Sequence, residues 1–144
     1  MCDEIPQHPI EIAWLCVDCS DPETLATWWQ GLVGGELSVD GDGDVHLDGG
    51  PLPLLFLAVP DQKRLKNRLH FDLRVDDFEA AVAKALGLGA QAADDVFVSE
   101  WWRVLRDPEG NEFCIIRPKN QAGQLDEERS SLVDRLRLVR LRRR

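Results

Sequence analysis

Few residues of this chain have the type and spacing to do chemistry. His70 and Asp72 stand two apart in His70-Phe71-Asp72-Leu73-Arg74-Val75-Asp76, a spacing that puts both on one face of a β-strand. A carboxylate there biases an imidazole that titrates near neutral pH, so His70 is the best candidate for a polar anchor or an acid–base group. Cys16-Val17-Asp18-Cys19 is a C-x-x-C, but a zinc ribbon needs a second pair and a redox pair opens a helix, so packing is the reading. Asp40, Asp42 and Asp44 imitate the start of a calcium loop, yet Val45 stands where glycine is required and Pro51 where glutamate is. That stretch is a turn. Gly87-Leu88-Gly89-Ala90-Gln91-Ala92 fits a dinucleotide pattern but follows a helix where a strand is needed. No G-x-S-x-G elbow occurs.

The elements that must position His70 form a repeat. Ile12-Ala13-Trp14-Leu15-Cys16-Val17-Asp18 has the same plan as the His70 stretch, and each copy runs into a capped amphipathic helix. In the first unit the strand spans Ile10 to Cys19, apolar on both faces and therefore expected to be covered on each side and away from a sheet edge. Ser20-Asp21-Pro22-Glu23 supplies a cap with Ser20 as N-cap, Leu25, Trp28, Trp29 and Leu32 make one helical face, and Gly34-Gly35 stops the helix. Glu36 to Val39 and Val45 to Leu47 flank a hairpin, and Pro51 to Val59 is a further strand. The second unit copies this βαβββ order: strand Leu69 to Val75, Asp76 as cap, and Phe78, Val82 and Leu86 on one helical stripe. Strands at Val96-Phe97-Val98, Trp101 to Arg106 and Phe113 to Arg117 follow, the last two joined by a turn at Asp107-Pro108-Glu109-Gly110-Asn111. Strand parity sends Phe71, Leu73 and Val75 to the helix and leaves His70, Asp72 and Arg74 on the opposite face, which Ile12, Trp14 and Cys16 share in the first unit.

Duplicated βαβββ units, helices opening after Val-Asp, and Asp107-Pro108-Glu109-Gly110-Asn111-Glu112-Phe113-Cys114 resemble the glyoxalase-like branch of the vicinal oxygen chelate superfamily, from about Ile10 to Pro118. The resemblance implies an α+β fold in which two modules form a cup-shaped, mostly antiparallel sheet, often completed in a dimer. It implies a small molecule or a metal–substrate chelate inside, in proteins that include lyases, extradiol dioxygenases, epimerases, epoxide-opening thiol transferases and antibiotic sequesterers. The metal-ligand positions of such proteins fall here on Ile12, Leu55 or Leu57, His70 and Cys114. Of these His70 alone matches the usual pattern, and a catalytic divalent ion wants about three protein ligands. The expectation is therefore a cup without the standard metal set and without a cofactor. The alternative is a metal-dependent lyase or dioxygenase in which Asp72 or Glu112 joins His70 and Cys114.

Five tryptophans and no tyrosine are an unusual aromatic choice, and their positions are informative. Trp28 and Trp29 read as core. Adjacent strand residues point opposite ways, so one of Trp101 and Trp102 faces the cup, and Trp102 is the assignment. For it and for Trp14, a pocket wall and plain packing are both open readings. The expected substrate-binding residues are Ile12, Trp14, Cys16, Leu57, His70, Asp72, Trp102, Cys114 and Ile116. One half of this set is apolar and the other polar, which suits an amphipathic small organic molecule, held for sequestration or for unassigned chemistry.

The expected domain covers residues 1–118, with module one at 9–60 and module two at 68–118, followed by an extension at 119–144. There Leu125, Leu132, Leu136 and Val139 sit at heptad-like steps among arginines and acids, reading as an appended amphipathic helix that packs on the body or on a second subunit. An interaction module working through that helix is a weaker third function. The chain of 144 residues has a net charge of −9, and the acidic body argues against nucleic acid. Absence of an apolar run of ~18 residues and of a signal peptide gives the expectation of a cytoplasmic protein with no membrane partner and four free thiols, and the resemblance implies a homodimer.

Overall fold

The computed structural model describes residues 11–96 and 99–118. The chain divides into two compact units between Gln62 and Lys63. Each repeats the same order of elements, a strand, a helix and three further strands, so the fold is α+β with two βαβββ modules.

In the first unit β1 (Leu15–Cys19) leads into α1 (Pro22–Val33), followed by β2 (Glu36–Val39), β3 (Val45–Asp48) and β4 (Leu54–Ala58). Its sheet runs β1-β4-β3-β2, with β1 parallel to β4 and the other pairs antiparallel. Leu25, Ala26, Trp28 and Trp29 of α1 are buried with Val45, Leu47, Leu54 and Phe56 of the sheet. The two tryptophans meet edge to face at 5.2 Å, the arrangement that ring quadrupoles favour. Burying a side chain as completely as Phe56 or Leu25 contributes about 2–3 kcal/mol. The N-cap is Asp21, one residue later than the expected Ser20: its carboxylate accepts from the Thr24 backbone N–H at 3.1 Å and from the Thr24 hydroxyl. Two oxygens on Asp21 satisfy more of the first turn than the Ser20 hydroxyl could. Gly34 (φ +78°) and Gly35 (φ +104°) end the helix in backbone that side chains disfavour.

Two expectations for β1 need correction. It begins at Leu15, not Ile10, and it lies at the end of its sheet, paired with β4 alone among the described strands. Nor is it covered on both faces: Trp14 and Cys16 are exposed while Cys19 is buried. Apolar residues on both sides of a strand were read as double coverage, but here one side is open.

In the second unit β5 (Asp72–Arg74) precedes α2 (Phe78–Gly87), then β6 (Gln91–Ala92), β7 (Trp102–Arg106) and β8 (Glu112–Ile116). The sheet order β5-β8-β7-β6 repeats the first, with β5 parallel to β8. Leu105, Phe113 and Ile115 make its core, while α2 buries Ala85 alone. The cap is Asp77, not Asp76, accepting from the Ala80 N–H at 3.0 Å. Ahead of the strand expected at Val96-Phe97-Val98, Gln91–Ala92 pairs with β7, Ala93 donates its N–H to Val104 at 3.0 Å, and Val96 lies in the turn that follows. Residues 97 and 98, and the helix expected within 119–144, fall outside the described residues.

Candidate functional site

Register assembles one sheet face of interest in each unit. In the first, Cys16 pairs with Leu55, and Leu55 with His46, so these three form one row across β1, β4 and β3. Leu57, two residues beyond Leu55, extends the same face. Trp14 lies just before β1 with its ring edge-on to His46 at 5.7 Å and 75°. His46 Nε2 donates to Asp40 Oδ2 at 3.2 Å. That hydrogen bond, with those from the Asp42 and Asp44 N–H groups, holds the Asp40 carboxyl below its ordinary range. Asp40 is thereby committed to its own turn. Cys16 and Cys19 fall on opposite faces, one exposed and one buried, as three steps along a strand require.

His46 is absent from the expected site. The signal was present: Val45 and Leu47 alternate around it as Leu15 and Val17 do around Cys16, so the parity that selected Cys16 selects His46 too. Ile12, by contrast, is 76% exposed and lies three residues before the strand that carries Cys16.

In the second unit Asp72 pairs with Cys114 and Cys114 with Val104, while the next row joins Arg74, Ile116 and Trp102. The register thus puts Trp102, not Trp101, on the face of Cys114 and Asp72. His70 Nε2 lies 3.4 Å from Asp72 Oδ1, and donor atoms of His70, Asp72 and Cys114 all fall within 4.8 Å of one another. Beside this polar group, Ala93, Val104 and Cys114 form a buried cluster against which Val96, Trp102 and Ile116 pack. Arg74 turns away, donating from Nη1 to the Arg117 carbonyl at 3.1 Å.

Local chemistry explains the turn that delivers β8 to this face. Asp107 is 2% exposed, and its Oδ1 accepts from the Glu109 and Asn111 N–H groups at 3.0 and 2.9 Å. The Asn111 side-chain amide donates to both oxygens, and Gly110 takes φ +86°. Asp107, Glu109, Gly110 and Asn111 therefore serve the β7–β8 hairpin.

Imidazole, thiolate and carboxylate suit a borderline ion such as zinc. The two-module ligand set implied by the sequence resemblance does not fit, because Ile12, Leu55 and Leu57 carry no donor atom. Glu112 is also taken: it is 4% exposed and bonded to Lys63 Nζ and the Asn67 N–H.

A sequence profile described as "Glyoxalase-like domain" matches residues 14–116. No curated protein sequence matches the chain. Among solved structures, fosfomycin resistance protein FosX from Mesorhizobium loti is 11% identical with a TM-score of 0.61, over 76% of this chain and 92% of that one. TnmS3, an antibiotic binding protein from a Streptomyces species, is 22% identical with a TM-score of 0.55, over 76% and 97%. A glyoxalase/bleomycin resistance protein/dioxygenase family enzyme from Burkholderia phytofirmans is 18% identical with a TM-score of 0.59, over 73% and 96%. At these identities the likeness concerns the fold.

Proposed function

The chain belongs to the glyoxalase-like family, and on that premise we propose that it binds a small amphipathic organic molecule without the family's two-module metal set. The observation that carries this reading is the juxtaposition, on one sheet face, of the His70–Asp72–Cys114 group with the apolar patch of Val104, Trp102 and Ile116. Apolar walls with a few convergent polar groups are how proteins hold organic ligands: the walls supply affinity and the polar atoms fix orientation. Trp14, Cys16, Leu55 and Leu57 offer a second, mainly apolar surface on the first module. The ligand is held for sequestration, or for a reaction in which His70 anchors or moves a proton. The antibiotic-binding and fosfomycin-resistance relatives support a small-molecule role, and we propose that the protein acts as a cytoplasmic homodimer.

The convergence of three donors favours a second reading, a divalent ion held by the second module alone for lyase or dioxygenase chemistry. Metal analysis and native mass spectrometry of protein purified without chelator separate the two. The first reading expects a co-purifying organic mass and no stoichiometric ion; a stoichiometric ion that disappears in His70→Ala overturns it.

A further inference from the structure

The second module carries a surface that the proposed ligand site does not use. On the far side of its sheet, α2 and the segment leading into β7 enclose an open groove of about 390 Å³. Phe78, Val82 and Leu86 form one wall at helical spacing, and Glu100, Arg103 and Arg117 stand opposite. The helix is incompletely covered: where α1 buries four residues, α2 buries Ala85 alone, and Leu86 is 42% exposed. The groove's cations are already engaged. Arg117 lies 4.1 Å over the Phe78 ring and bonds Glu79, and Arg103 pairs with Asp94. What remains open is an apolar stripe with a charged rim, the complement of an amphipathic helix.

We propose that residues 125–139 of this same chain dock in that groove as an amphipathic helix. The chain leaves β8 at Ile116, and Arg117, the next residue, itself lines the groove, so the segment after Pro118 starts at the rim. A linker of seven residues, 118–124, reaches up to about 23 Å, more than the roughly 15 Å length of a ten-residue helix such as α2. Leu132, Leu136 and Val139 recur at i, i+4 and i+7, with Leu125 one heptad earlier, spacing that gives a helix one apolar stripe, as i, i+4 and i+8 do for Phe78, Val82 and Leu86. Tethering raises the local concentration to the millimolar range, which helps a helix that is marginal in isolation.

Hydrogen exchange on the full-length protein tests the docking, comparing it with the full-length variant Leu132→Asp/Leu136→Asp. Docking predicts that amides of residues 78–88 exchange about tenfold faster in the variant, while the β2–β3 hairpin of the first module is unchanged. The difference must also persist on dilution. Equal α2 exchange in the two proteins overturns the proposal. So does protection that fades with dilution in step with a dimer, which would assign the groove to a second copy.

Discussion

Asn67 donates its backbone N–H to Glu112 Oε2 at 2.8 Å, tying the segment before β5 to the strand that carries Cys114. Lys63 Nζ, 3.1 Å from the same carboxylate, and Arg106 Nε, 3.5 Å away, complete the set. Glu112 shares the parity of Cys114 and is an acid, which made it a candidate ligand in the sequence; its partners make it a structural anchor.

Replacing Glu112 by Gln should therefore cost on the order of 3 kcal/mol near neutral pH, because buried donors lose a charged acceptor. Burial pushes this carboxyl up, but the Asn67 N–H and the Lys63 ammonium outweigh burial and hold it below its ordinary value of 4.5. A depressed folded-state value means that the contribution is present above 4.5 and is lost as pH falls through the lower folded value. Urea midpoints of the native protein and Glu112→Gln should accordingly converge as pH is lowered from 7 toward 3. A gap that stays constant would show that Glu112 is not the linked group.

Asp107→Ala should lower stability by about 2–4 kcal/mol, since it strips acceptors from two backbone N–H groups and the Asn111 amide in a buried turn. Asp107→Asn keeps one side-chain oxygen and should recover part of the loss. Thermal unfolding of the three proteins gives the order.

The two glycines that end α1 should respond differently to alanine. At Gly34 a Cβ meets nothing within 4 Å, leaving only the backbone penalty of φ +78°, about 1–3 kcal/mol. At Gly35 the Cβ would stand 2.5 Å from the Asp48 carbonyl and 2.9 Å from Leu47 Cδ1, so Gly35→Ala must also displace β3 and should be the more damaging. Equal chemical denaturation midpoints for the two variants would count against this packing.

Thiol labelling followed by peptide mapping should find Cys16 modified at least tenfold faster than Cys19 or Cys114, because the first is exposed and the others buried. Labelling of Cys114 as fast as Cys16 would mean that the cluster of Ala93, Val104 and Cys114 is not packed as described.

Much of the fold was legible because duplication allowed one unit to be checked against the other. Strand parity read from Leu73 and Val75 carried over to Leu15 and Val17, and the Asp-Pro-Glu-Gly-Asn turn announced itself by residue type. Strand faces were legible as far as parity reaches: within their own units Cys16, Asp72, Cys114, Trp102 and Ile116 fall on the sheet faces expected. Parity fails where a residue lies outside the strand, as Ile12 does. Composition also cannot distinguish two apolar faces that are both buried from two of which one is open, so β1 was misjudged. Helix caps slipped by one residue in each unit because Ser20-Asp21 and Asp76-Asp77 each offer adjacent capping side chains. The commitment of Glu112 to Lys63 and Asn67 depends on contacts 49 and 45 residues apart in sequence, which no local pattern encodes.

Each sheet draws all four of its strands from its own module, with the first strand hydrogen-bonded to the last. In evolutionary terms such a module is a closed unit of inheritance. Once copied, it needs no ladder partner from its twin, so side chains can differ between the copies, Cys16 in one and Arg74 in the other, without either sheet losing a hydrogen bond. The difference between a first face carrying Cys16, Leu55 and His46 and a second carrying Asp72, Cys114 and Val104 is thus a freedom that this strand order creates.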